Sequence, residues 1–221
     1  MDTRLKPENN QALVILLGIT ADAACKSHVL DYYRRHSHFR VFLPNHCQYF
    51  GIDFAAGQLC HFLDKHDLRE FERCHFICYI SGGFILRRAL ADSPLPNLGR
   101  VVYVRSPLQE RVPRLSLRRY GPLPLLKFGK ILLDLAGDRK DRLPELRTDC
   151  GYVLESGVSA QAAELGLTAD DFARCREDSR FAIPSDMPIL TTPLSHDQVY
   201  SDDTLLAQML AFIESGSFQH A

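Results

Sequence analysis

The longest apolar runs in this 221-residue chain, such as residues 12–17 and 101–104, fall far short of the roughly 20 residues that span a bilayer. A transmembrane helix is therefore not expected. Charge of either sign is also not in excess: 26 Lys and Arg stand against 27 Asp and Glu, a net charge of −1. Nothing global draws the chain to a nucleic-acid backbone, so no nucleic-acid role is expected. A C-x-x-C pair is missing, and the seven cysteines (Cys25, Cys47, Cys60, Cys74, Cys78, Cys150 and Cys175) are odd in number. Several lie in apolar segments where a reduced thiol packs as a small hydrophobe, which argues against a disulfide framework and a zinc site. None of the nine histidines has a recognised metal spacing; His36 and His38, two apart in a charged stretch, read as solvated. No metal and no cofactor is expected. Internal repeats and low-complexity tracts are absent. The first ten residues hold charges of both signs and no apolar stretch of signal-peptide kind, so the expected location is cytoplasmic.

What is present is enough apolar sequence, 46% against 24% charged, to bury one substantial core. Residues 12–18, an apolar run closed by glycine, suit a strand buried on both faces of a parallel sheet. Residues 23–35 follow with an approximately helical pattern, and 39–43, before Pro44, read as a second strand. A helix is predicted over 53–72 from the spacing of Phe54, Leu59, Phe62, Leu63 and Leu68. Strands at 74–78 and 100–104 flank a helix over 83–90, opened by paired glycines, and a turn at 97–99. Further strands are predicted at 151–154 and 188–192, with a closing helix over 202–215. Residues 155–185 read equally as a lid or an irregular loop. Strands alternating with helices argue for an α/β fold, a mostly parallel sheet covered by helices on both faces, in one domain spanning 1–221.

One region differs. Over residues 105–147, eleven Lys or Arg face five Asp or Glu, and an apolar helix-like piece at 123–133 lies among these cations. The ordinary reading is a core-packed helix with solvated charges outside. The other reading is a lid or cap insertion around 105–147 whose segment 121–137 meets a protein partner or a membrane surface.

The run Phe76-Ile-Cys-Tyr-Ile-Ser-Gly-Gly-Phe-Ile-Leu-Arg-Arg88 resembles the nucleophile-elbow region of small bacterial-type lipases and esterases of the α/β-hydrolase superfamily. Their usual text is an apolar strand, Gly-His-Ser-Leu-Gly-Gly, and a helix beginning Ile-Ile-Leu-Arg. Leu17-Gly18 is similar to the family's His-Gly after the first strand, and Arg105-Ser-Pro-Leu-Gln-Glu110 to its Pro-Asn-Gln-Gly-Ser segment. Pro193-Leu-Ser-His196 resembles the catalytic-histidine loop, and Phe212-Ile-Glu-Ser-Gly-Ser-Phe218 the end of the closing helix. The resemblance spans most of the chain and is weakest over 105–185. It implies an α/β-hydrolase fold and an acyl-containing small molecule as ligand.

Aligned without a gap, the elbow places Ile80 at the nucleophilic serine and Ser81 just after it. Isoleucine has no atom that attacks an acyl carbon. Moving the register by one makes Ser81 the nucleophile but puts Tyr79 where the strained turn needs a small residue. The resemblance makes His196 the base. Its acid falls by spacing on Asp171, with Phe172 in place of the family's glycine, and Asp170 and Asp178 compete. Backbone N–H groups at Gly18, Ile19 and Gly82 are the oxyanion-hole candidates. Two readings follow. One is a pseudoenzyme, a hydrolase-like scaffold that binds rather than cleaves. The other is an active carboxylic-ester hydrolase with Ser81 attacking, His196 as general base and Asp171 orienting it. They differ in whether Ser81 or Ile80 faces His196.

Overall fold

The computed structural model describes residues 10–218; residues 1–9, on which the expectation of a cytoplasmic location rests, lie outside them. Six parallel strands form one sheet in the order β2-β1-β3-β4-β5-β6. They are β1 (Gln11–Leu16), β2 (Arg40–Phe42), β3 (Arg73–Tyr79), β4 (Leu98–Arg105), β5 (Cys150–Glu155) and β6 (Ile189–Thr192). The nine helices of the described residues are α1 (Ala23–His36), α2 (Ile52–Lys65), α3 (Ser81–Asp92), α4 (Pro107–Tyr120), α5 (Leu123–Phe128), α6 (Lys130–Ala136), α7 (Ala160–Glu164), α8 (Ala169–Arg176) and α9 (Asp203–Ser215). None is long and apolar enough to cross a membrane.

Strand alternation divides the core into two layers. Ala12, Val14, Leu16, Phe76 and Cys78 point to one face with residues of α2, α3 and α6. Leu13, Ile15, Ile77, Tyr79 and Val153 point to the other, with α1 and α9. Because side chains alternate along a strand, a strand covered on both faces must be apolar throughout, and residues 12–16 have no exposed surface. Local chemistry starts the helices. Asp22 accepts from the amide of Cys25 at 2.8 Å, Ser106 from that of Gln109 at 3.2 Å, and Asp202 from that of Leu205 at 2.7 Å. Each satisfies a first-turn donor that has no partner inside the helix.

The sheet, its helical covering and the strand positions agree with the sequence, and three helix assignments are corrected. The helix predicted over 53–72 stops at Lys65, because Asp67 takes a left-handed conformation (φ 52°) and Leu68–Glu70 is a separate 3-10 turn. The apolar piece at 123–133 is two helices, α5 and α6. Between them Gly129 has φ 70°, and a side chain there would run into the Tyr49 carbonyl. Residues 107–120, not read as helical, form α4 in spite of Pro113, with Pro107 in its first turn where no donor is lost. The segment 155–185 contains two short helices, α7 and α8.

Candidate functional site

The site lies at the carboxyl ends of β1, β3, β5 and β6. Between β3 and α3 the chain turns at a single residue, Ile80, with φ 21° and ψ −86°. A β-branched residue at positive φ is an outlier, and such conformations cost on the order of 1–3 kcal/mol each. Surrounding contacts hold it there. The Ile80 amide donates to the Val104 carbonyl at 3.0 Å, and the Ile80 carbonyl accepts from the amides of Gly83 (3.1 Å) and Phe84 (3.4 Å). The glycines after it permit close packing: a Cβ on Gly82 would run into the Leu16 carbonyl, and one on Gly83 would stand 3.0 Å from the Tyr103 ring. The strained position is therefore residue 80, and Ser81 is the first residue of α3. Ser81 is buried, and its Oγ has no hydrogen-bond partner among the described residues.

The imidazole comes from the loop after β6. Glu155, the last residue of β5, is in register with Thr192, and the Ser156 and Gly157 amides donate to the carbonyls of Thr192 and Leu194 at 2.9 and 3.1 Å. This pairing carries the chain to His196, whose Nδ1 lies 3.2 and 3.1 Å from the two carboxylate oxygens of Glu155. His196 is 4% exposed and Glu155 is wholly buried. With Nδ1–H donating to the carboxylate, Nε2 keeps a lone pair. The Tyr200 hydroxyl is 3.5 Å from it. Tyr200 stacks on Tyr79 with ring centroids 4.5 Å apart. Burial first, then the neighbouring Glu155 carboxylate, pushes the pKa of both phenols above the usual tyrosine range. Tyr200 is thus a neutral hydrogen-bonding neighbour of the imidazole.

Gly18 passes close beside this pair: a Cβ there would sit 2.7 Å from the Tyr200 hydroxyl and 3.7 Å from Nε2 of His196. A cavity of about 460 Å3 opens from this point, with Gly18, Ile19, Ile80, Ser81 and His196 in its floor. Phe128, Leu132 and Leu135 of the 105–147 region form part of its other walls. The inner side of α6 is core (Ile131, Leu132 and Leu135 are buried), whereas Leu123 and Leu126 of α5 face outward, the latter 79% exposed.

Of the residues singled out from the sequence, Ile80, Ser81, Gly18, Ile19 and His196 meet at one cavity, while Gly82 packs behind it against β1. The three aspartates do not come to His196. Asp171 accepts from the amide (2.8 Å) and hydroxyl (3.0 Å) of Thr168 and from Arg174 (2.6 Å). It closes the capping box of α8, and these partners, the Thr168 amide first, lower its pKa. Asp170 sits beside it in the first turn of α8. Asp178 caps the turn Ser179–Phe181, and its bonds to Arg180 hold its carboxyl down at about 2. The carboxylate at His196 is instead Glu155, one residue past the strand predicted at 151–154. The available signal was an apolar strand ending in an acid, in the chain order elbow, acid, histidine. Tyr200, four residues after His196, carries no motif that marks it in the sequence.

A parallel sheet with a one-residue elbow after its central β3 and a carboxylate and histidine at the ends of its last two strands defines the α/β-hydrolase fold. Comparison with solved structures agrees. The chain is similar to MGS-MChE2, an α/β-hydrolase enzyme from the metagenome of sediments of the lagoon of Mar Chica, Morocco, at 20% identity over 96% of this chain and 94% of that one, with a TM-score of 0.55. It is similar also to an esterase, RhEst1, from Rhodococcus sp. (15% identity, 93% and 90% coverage, TM-score 0.53). A lipase-esterase related protein from Clostridium acetobutylicum matches at 10% identity, 93% and 95% coverage and a TM-score of 0.52. At these identities the likeness is one of fold. Neither the protein-family models nor the curated proteins include a match to the chain.

Proposed function

We propose that this chain is a binding scaffold built on the hydrolase fold, taking an apolar, acyl-containing small molecule into the cavity above Ile80 and forming no acyl-enzyme. The observation that carries this reading is Ile80 at the strained elbow residue, beneath a cavity that also holds His196. A hydrocarbon there adds apolar wall to a cleft already lined by phenylalanine and leucine, which suits an acyl chain, and it offers no electron pair to a carbonyl carbon. The outward leucines of α5, with Lys127 on the same short helix, supply the surface of residues 121–137 for a protein partner or a membrane.

One observation favours a second reading, ester hydrolysis from Ser81: its hydroxyl is buried at the same cavity without a hydrogen-bond partner among the described residues. For that reaction Nε2 of His196 would have to take the Ser81 proton, with Glu155 in the role first given to Asp171. Among the described residues His196 contacts Glu155 and Tyr200 but makes no hydrogen bond to Ser81. Labelling with a fluorophosphonate serine-hydrolase probe separates the two. No labelling of the folded wild-type chain is expected. Labelling that disappears in both Ser81→Ala and His196→Ala would sink the scaffold reading and establish the hydrolase.

A further inference from the structure

The described residues expose eight large hydrophobic side chains, and seven of them fall in two short segments: Tyr49, Phe50 and Phe54 in one, and Tyr120, Leu123, Leu126 and Leu133 in the other. Far apart in sequence, these segments are fastened together. The Lys130 amide donates to the Tyr49 carbonyl at 2.8 Å, and the Ile52 amide donates to the Asp134 carboxylate at 2.8 Å. Phe50 meets Tyr49 and Phe54 edge to face, with ring centroids 5.6 and 5.1 Å away. Tyr49 and Lys127 border one recess, and Lys127, Leu123 and Tyr120 line the cavity above Ile80. One continuous apolar patch results. Single exposed hydrophobics are ordinary, but a contiguous patch beside charge marks a surface that meets another apolar surface.

The charge around the patch is mostly positive. From residue 119 to residue 133 the chain holds three cations, Arg119, Lys127 and Lys130, and no acid. Arg119 and Lys127 have no carboxylate partner among the described residues: the Arg119 guanidinium donates to the Glu164 carbonyl at 2.8 Å, and the Lys127 ammonium lies 5.2 Å over the Phe128 ring. Of the acids nearby, Asp53 and Asp134 are held in ion pairs by Arg88 and Lys130. Tyr120, Leu123, Lys127 and Glu164 are exposed and also line the apolar cavity, so they form its mouth, whereas Ile80, Ser81 and His196 are buried at its floor. The patch therefore adjoins the opening through which a ligand passes. A protein seated there would close that opening, whereas a bilayer covers the same surface and is itself a reservoir of apolar molecules. We propose that this face docks on a bilayer surface carrying anionic lipid, with Leu126 and Phe50 inserted among the acyl chains, Arg119 and Lys127 at the headgroups, and the cavity mouth open to the membrane. The proposal rests on the apolar-ligand reading above and adds where the ligand comes from. Leucine and phenylalanine beside lysine suit the boundary between acyl chains and headgroups, long cationic side chains reach from apolar surface to polar heads, and an anionic leaflet attracts them.

Flotation of the full chain with vesicles of phosphatidylcholine alone, and of equal parts phosphatidylcholine and phosphatidylserine, tests this beside the variants Phe50→Ser/Leu126→Ser and Lys127→Glu. Calorimetric titration of the same preparations with 1-octanol reports the cavity by itself. The wild type should float with the phosphatidylserine vesicles and less with phosphatidylcholine alone. Phe50→Ser/Leu126→Ser should weaken partitioning by roughly tenfold or more, from the apolar side chains no longer buried. Lys127→Glu should weaken it by roughly fivefold or more on the phosphatidylserine vesicles only. Octanol binding should be unchanged in Phe50→Ser/Leu126→Ser, since neither residue lines the cavity. No flotation of the wild type, or flotation that ignores both variants, would overturn the docking surface; octanol binding in that case would leave the apolar-ligand reading standing. Flotation without octanol binding would overturn the apolar-ligand reading and, with it, delivery of the ligand from the bilayer. A dimer in sedimentation velocity that Phe50→Ser/Leu126→Ser splits, with no flotation, would give the patch to a second copy of the chain and overturn the proposal.

Discussion

Glu155 holds both carboxylate oxygens within 3.2 Å of Nδ1 of His196, with no solvent contact of its own. The imidazole is the hydrogen-bond partner of the carboxylate among the described residues, so neither group can lose the other without leaving a buried polar atom unpaired. Leaving a buried donor unsatisfied costs about 1–3 kcal/mol. Glu155→Ala should therefore lower the unfolding free energy by about 1–3 kcal/mol, read from urea denaturation. Glu155→Gln, which keeps an acceptor for Nδ1–H, should cost less. An unchanged midpoint for the alanine variant would remove the pair from any part in holding the site.

If Ile80 is all that separates the site from serine chemistry, supplying a hydroxyl there should introduce it. Ile80→Ser places Oγ on the elbow, at the cavity that holds the oriented imidazole. We expect this variant to be labelled by the fluorophosphonate probe where the wild type is not. Adding His196→Ala should slow the labelling by about 100-fold or more, the lower range for general-base assistance. Labelling that ignores His196 would show that the imidazole cannot reach residue 80.

The elbow also makes a steric prediction. Gly82→Ala forces a methyl group against the Leu16 carbonyl of β1, and overpacking of this kind typically costs about 1–3 kcal/mol. Gly57, exposed in the middle of α2, is the opposite case, because a methyl group added there would have no neighbour within 4 Å. Gly57→Ala should raise stability by roughly 1 kcal/mol through helix propensity. Thermal melts of the two variants should move in opposite directions, and a tolerated Gly82→Ala would contradict the tight approach of α3 to β1.

Acid should weaken the fold through His75. Its Nδ1 accepts from the Arg100 amide at 2.9 Å, and its Nε2 faces the Gln11 side-chain oxygen at 3.0 Å, a pattern that fits one neutral tautomer. Burial first, and then the nearby Arg100 and Arg73 charges, push its pKa down to about 4 from 6.5. Between these two values the unfolded chain binds the additional proton. The His75 contribution is thus complete above about pH 6.5 and is lost progressively as pH falls toward 4. Comparing urea midpoints at pH 7 and pH 5 should show a smaller acid loss in His75→Asn than in the wild type. Equal losses would place the histidine in a solvated setting.

The two-sided parallel sheet and the position of the turn after β3 were legible in the sequence because each rests on local chemistry, and the loop carrying His196 through its resemblance to the family's histidine loop. A strand covered on both faces must be apolar along its whole length, and paired glycines mark a close approach wherever they follow such a strand. The partner of His196 was not legible. Asp171 has the spacing of an acid, but Thr168 and Arg174 satisfy its carboxylate within its own helix. Glu155 reaches the imidazole only because β5 and β6 pair in a register that sets it opposite Thr192. Gly129 likewise breaks the apolar segment 123–133 because Tyr49, eighty residues earlier, occupies the space a side chain would need. Periodicity and spacing report what each residue asks of its chain neighbours. Which carboxylate meets which imidazole is decided by strand register and by contacts between distant segments, and these exist only once the chain is folded.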